Sequence, residues 1–140
     1  MKSDLKTLTG PDGVAPCKVV FAPDLVGRAM FGADAAGVFE LWRDGRIRPA
    51  VSRALLARYL RVLRALGLEE RLLRRWAWWF SSAAWVHYTA GDPDESLPLA
   101  DLCLQVARQN AAEYILHGGL VMSAPGALPW LAAAEFLRLT

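Results

Sequence analysis

Lys18-Val19-Val20-Phe21-Ala22-Pro23-Asp24-Leu25-Val26-Gly27-Arg28-Ala29-Met30 decides how this chain is read. Val19 to Ala22 are apolar without alternation, the pattern of a parallel strand covered on both faces. Pro23 has no N–H to give to a ladder, so the strand ends near Ala22. The residues that follow take helical spacing. In open α/β sheets, ligands bind outside the carboxyl ends of such strands. Ala22, Pro23 and Asp24 therefore mark the expected site.

Outward from this stretch, strand and helix patterns alternate. Leu25 to Arg43 is helical, with Leu25, Ala29, Phe39, Leu41 and Trp42 as apolar anchors. Gly32 and Gly37 weaken its middle, which predicts two short helices. Asp44-Gly45 turns the chain into a second strand over Arg46–Val51, and Ser52 is a ready N-cap. Arg53–Leu66 carries Leu55, Leu56, Tyr59, Leu60, Leu63 and Leu66 on one side, with Arg61 and Arg64 opposite. Glu69–Ser81 is a further helix. Trp85–Tyr88 reads as a third strand, Leu97–Asn110 as a helix and Ala112–Leu116 as a fourth strand. A short strand at Leu128–Leu131 and a helix at Ala132–Leu139 close the chain. Strands alternating with helices predict a mainly parallel sheet inside a three-layer α/β/α sandwich. Residues 1–17, with the turn cluster Gly10-Pro11-Asp12-Gly13, are expected to be a flexible extension before one domain over 18–140.

The totals fit one globular domain. The chain has 140 residues, 54% of them hydrophobic and 21% charged, which argues against disorder. A net charge of +2 does not force a nucleic-acid reading and does not exclude a local basic patch. Cys17 and Cys103 make neither a metal spacing nor a disulfide framework, and read as reduced thiols of a cytoplasmic protein. Met1–Pro16 is polar and turn-rich, so no signal peptide is expected there. Trp76–Tyr88, the most apolar run, is broken by Ser81, Ser82 and His87 and is too short to span a bilayer.

Four segments in register resemble the PIN-domain family, and within it the PIN-like proteins described as toxins of toxin–antitoxin pairs. The opening strand with Ala22-Pro23-Asp24 stands where that family has strand-Asp-Thr-Asn. Phe39-Glu40-Leu41-Trp42-Arg43-Asp44-Gly45 resembles its Leu-x-Glu-Leu-Trp helix and turn. Ser52-Arg53-Ala54-Leu55-Leu56-Ala57-Arg58-Tyr59-Leu60-Arg61-Val62-Leu63 resembles its Ser-x-x-Leu-Leu-x-Glu-Tyr-x-x-Val-Leu helix, with Arg58 in place of the glutamate. Asp101, Leu104, Ala107, Ala112, Tyr114 and Ile115 match its late helix and strand, and Ala134-Glu135-Phe136-Leu137 its tail. The resemblance spans about Lys18 to Leu139.

The resemblance implies a nuclease in which three or four carboxylates at the carboxyl edge of the sheet hold Mg²⁺ or Mn²⁺, hard cations that take oxygen ligands and activate water. Carried over residue by residue, the first aspartate falls on Ala22 and the asparagine on Asp24. The helix glutamate falls on Arg58 and the third acid on Asp101. The last aspartate falls on Gly119, and the threonine before it on His117. Asp24 and Asp101 are thus the remnant acids, and Ala22, Arg58, His117 and Gly119 are vestigial positions. Two carboxylates and one guanidinium sum to −1 where four acids would present −4. A guanidinium beside a divalent ion is repulsive by a few kcal/mol at an effective dielectric of ~20. The expectation is a non-catalytic pseudonuclease that holds no metal, with Arg58 filling the vacated position and pairing with Asp101, and with Asp24 as a second candidate partner. The alternative is a Mg²⁺- or Mn²⁺-dependent ribonuclease that rebuilds its site from Asp24, Asp101 and one of Asp94 or Glu95.

Other candidates have plainer readings. Asp92, Asp94 and Glu95 fit a solvated turn, and His87 a structural strand position. His117 is a weak candidate for a base or a phosphate contact. Arg74, Arg75, Trp76 and Trp79 share one helix with Arg71, Trp78 and Phe80, more aromatic surface than one face buries. They are the expected partner surface, for a second copy in a dimer, an antitoxin-like protein or RNA.

Overall fold

The computed structural model describes residues 16–29, 32–89, 97–119 and 128–140. Residues 1–15 of the expected extension, and 90–96 with Asp92, Asp94 and Glu95, lie outside the described residues; Cys17, expected as the last residue of the extension, opens the first strand instead. Strand β1 (Cys17–Phe21) leads through Ala22 into helix α1 (Pro23–Arg28), and α2 (Ala33–Arg43) follows. Pro23 stands at the first helical turn, where its missing N–H costs nothing. The predicted split of Leu25–Arg43 is therefore present.

Strand β2 (Ile47–Ser52) leads into α3 (Arg53–Ala65), then α4 (Glu70–Ser81), and β3 (His87–Thr89) follows. Helix α5 (Leu99–Gln109), β4 (Tyr114–His117), β5 (Trp130–Ala132) and α6 (Ala133–Leu137) complete the described chain. Ser52 caps α3 as expected, its Oγ accepting from Leu55 N at 3.1 Å. Ala54, Leu55, Tyr59 and Leu63 are the buried face of α3. Leu66 departs from the prediction. It sits past the last turn of α3, against the left-handed Gly67, and is 45% exposed.

All four pairings in the sheet are parallel, and the strand order is β3-β2-β1-β4-β5. The chain steps outward from β1 to β2 to β3, then returns past them to β4. Helices α1 to α4 pack on one another as one group, and α5 packs on the sheet away from them, which gives the three layers. Helix α5 packs on β1, β2 and β4, whereas α1 packs on α3, α3 on α4, and α2 on α6. Pro49 is tolerated inside β2 because β3 pairs only with Ala50–Ser52, so β2 has no neighbour on that side at Pro49.

The core on the four-helix side is a cluster of rings. Phe21 of β1 stacks on Phe39 of α2 at 5.2 Å between ring centroids. Phe80 of α4 is fully buried and stacks on Trp42 at 4.9 Å. The bend before β3 is tied down by Arg48, which donates to the carbonyls of Ala83 and Val86, and by Trp42 Nε1, which donates to Trp85 O at 2.9 Å. No helix among the described residues is long and apolar enough to cross a membrane.

Candidate functional site at the carboxyl edge of the sheet

The direction of the chain reverses between β1 and β4, so the crevice beyond their carboxyl ends is the switch point where ligands of such sheets bind. Register holds the two strand ends level. Phe21 lies beside Leu116, and Ala22 N donates to Leu116 O at 2.8 Å. The Tyr59 hydroxyl, fully buried on α3, donates to Phe21 O at 2.7 Å. This bond fixes the last carbonyl of β1 and the entry to α1.

Asp24 reaches across the crevice. Its Oδ2 accepts from Gly118 N at 2.9 Å. Position 118 is crowded: a Cβ there would lie 2.9 Å from Arg28 Cδ, 3.0 Å from the Asp24 carbonyl oxygen and 3.1 Å from Oδ2, so a larger residue would press on the Asp24 bond. At the next position, Gly119 has φ of +103°, and its N–H donates to His117 Nδ1 at 3.0 Å. That bond makes Nδ1 an acceptor and leaves the ring proton on Nε2. His117 thus orders its own turn.

Arg58 is half-buried on α3 and donates from Nη2 to Leu97 O at 2.9 Å, just before α5. The expected ion pair with Asp101 is absent among the described residues. Asp101 stands exposed in the first turn of α5. Its helix position turns the carboxylate to water, while the Leu97 carbonyl meets the guanidinium without removing a charge from solvent.

Cys103, two residues further along α5, reads from sequence only as a reduced thiol and belongs to this edge. Its thiol is pushed up to about 12, first by burial and then by the Asp24 carboxylate, while Arg58 acts in the opposite sense. A thiol in that state stays protonated at neutral pH and is no nucleophile. Cys103 also bears on Tyr59, whose hydroxyl is raised well above its ordinary value, mainly by burial. The sequence signal was available: Cys103 falls on the buried stripe of α5 with Leu102, Val106 and Ala107.

Asp24, Arg58, Tyr59 and Cys103 thus converge, and Asp101 stands apart at the surface. Ala22 is fully buried, and its methyl side chain offers no ligand atom. Gly119 offers only backbone. Among the described residues, no group of three or more His, Cys, Asp or Glu side chains is arranged to hold a metal ion. Among the described residues Asp24 is the one carboxylate that reaches into the switch point, and its Oδ2 already accepts a backbone N–H, which is too few oxygen ligands to fit a divalent cation.

The expected partner surface divides in two. Arg74 is exposed, as are Arg71 and Trp78, the last at 59%, and these three form the outward stripe of α4. Trp76 and Trp79 are half-buried, and with Arg75 they line a cavity between α4 and α2. No family model matches the chain, and no curated protein or solved structure does either.

Proposed function

We propose that this chain is a PIN-like domain that has lost its metal-binding acids and works by binding a partner instead of cleaving RNA. The observation that carries the reading is the Asp24–Gly118 hydrogen bond across the crevice between β1 and β4. One carboxylate closes the crevice between β1 and β4, where a nuclease of this architecture would gather several acids around an ion. The parallel sheet with its switch point between β1 and β4 supports the scaffold half of the reading. Ala22 and Gly119 at the ends of those strands support the degenerate half. The partner surface assigned here is the outward stripe of α4, where Arg71, Arg74 and Trp78 combine positive charge with an exposed indole, a composition typical of binding hot spots. A protein of the antitoxin type is the partner class that the resemblance implies.

The test is cleavage of single-stranded RNA by purified protein in Mg²⁺ or Mn²⁺, with Asp101→Ala as the control. The expected result is no metal-dependent cleavage by either protein. Cleavage that needs the metal and disappears in Asp101→Ala would replace this reading with that of a ribonuclease using a rebuilt site.

A further inference from the structure

We propose that the cleft between α2 and α4 is a binding site for a small amphipathic anion, a monocarboxylate with an alkyl or aromatic body of about ten carbons. The site is separate from the carboxyl edge, and the inference does not depend on whether that edge is active.

The walls are preformed. Phe39 and Trp42 stand one turn apart on α2, and Trp76 and Trp79 one turn apart on α4. They meet across the cleft in two edge-to-face pairs, Phe39–Trp76 at 5.6 Å and Trp42–Trp79 at 6.0 Å between centroids. Phe80 backs both helices, stacked on Trp42 at 4.9 Å and on Trp76 at 5.5 Å. Leu72, one turn before Trp76, completes the apolar lining. The cavity so formed holds about 320 Å³. A water molecule occupies about 30 Å³ in the liquid, so there is room for roughly ten carbon-sized groups. That volume lies at the small end of ordinary ligand pockets.

The polar part of the cleft has one sign. Among the described residues, Arg43 and Arg75 are the lining residues that carry charge, one from each helix, and both are exposed. Glu40 lies 3.9 Å from Arg43 in a loose surface pair that solvent screens, so Arg43 remains able to bind a ligand. An apolar floor with a guanidinium from each helix in its lining selects an apolar body with an anionic head. The same charge argues against a second copy as the occupant. A two-fold contact on this face would set Arg43 and Arg75, with Arg71 and Arg74 beside them, against their own copies. An RNA strand has less to gain, because Trp76 already gives one ring face to Phe80 and its edge to Phe39.

The experiment is calorimetric titration of the full chain with sodium decanoate, 1-decanol and decyltrimethylammonium, each below its micelle or solubility limit. Tryptophan fluorescence is followed in parallel. The expected result is saturable one-to-one binding of decanoate, about tenfold weaker binding of the alcohol, and none of the ammonium. Arg43→Gln with Arg75→Gln should bring decanoate down to the level of the alcohol. Leu72→Trp should fill the cavity and remove both. If Leu72→Trp does not fold, the arginine pair decides, since both side chains are at the surface. Absence of saturable decanoate binding overturns the proposal. So does alcohol or ammonium binding as tight as decanoate, or an arginine double variant that binds decanoate unchanged. Salt-sensitive binding of a short single-stranded RNA at these residues, or dimerisation in ultracentrifugation that these substitutions abolish, would assign the cleft to that occupant and overturn it equally.

Discussion

Phe80→Ala tests whether the aromatic cluster holds the four-helix layer on the sheet. Phe80 is fully buried. Its ring lies 6.5 Å from Phe21, 6.4 Å from Phe39, 4.9 Å from Trp42, 4.7 Å from Tyr59 and 5.5 Å from Trp76, between centroids. Those partners come from β1, α2, α3 and α4, so the ring joins a strand to three helices. Truncating a buried Phe costs about 3–5 kcal/mol through lost transfer energy and the cavity left behind. Each aromatic pair adds about 0.5–1.5 kcal/mol beyond burial, and rigid ring walls collapse poorly, which places this site at the upper end. The expected loss is about 4–5 kcal/mol, a large share of the roughly 5–15 kcal/mol that domains possess. Trp78→Ala, two residues earlier on the same helix, is the internal control. Trp78 is 59% exposed and touches Trp79 edge-on, so its loss should cost under about 1 kcal/mol. Urea unfolding followed by far-UV circular dichroism measures both. A loss below about 1.5 kcal/mol for Phe80→Ala, or equal losses at the two positions, would refute the hub.

Two further outcomes follow from the buried polar groups. Tyr59→Phe should cost about 1–2 kcal/mol, because the Phe21 carbonyl loses its buried hydroxyl donor while the ring packing stays; a neutral result in urea melts would show that carbonyl to be otherwise satisfied. Alkaline pH should destabilise the fold. The Cys103 thiol rises from 9.0 to about 12, and Cys17 shifts in the same direction through burial and its 2.9 Å bond to Glu113 Oε2. Both folded pKa values lie above the unfolded ones, so the thiols' contribution is complete below pH 9 and is lost as pH climbs through 9 toward 12. At pH 10 the loss is on the order of 1 kcal/mol for each thiol. Unfolding under reductant at pH 8, 9 and 10 should show the decline, with a smaller slope in Cys103→Ala. Constant stability over that range would contradict it.

Periodicity and turn chemistry carried most of the fold. Apolar Val19–Phe21 ending at Pro23 located the central strand, and Ser52 and Gly67 bracketed α3 because capping is a local property. The interior Pro49 was harder to judge, since its tolerance depends on where β3 begins. Leu66 looked like core from its spacing and proved exposed, because helical spacing does not show where a neighbouring element stops. At the site, Asp24 and Arg58 were legible as residues, but their partners were not. Asp24 bonds to a backbone N–H 94 positions away, and Arg58 to a backbone carbonyl, and backbone partners leave no trace in side-chain identity. Cys103 read from sequence only as a reduced thiol; its place at the site depends on how α5 docks on the sheet. The cleft between α2 and α4 required two aromatic pairs to face each other, which depends on how the helices are docked.

The central claim is that the crevice between β1 and β4 no longer holds a divalent ion, and titration calorimetry with Mn²⁺ tests it without any substrate. The account predicts no saturable heat at millimolar Mn²⁺ for the wild-type chain and none for Asp24→Asn. Stoichiometric Mn²⁺ binding in the wild type that disappears in Asp24→Asn or Asp101→Ala would contradict it.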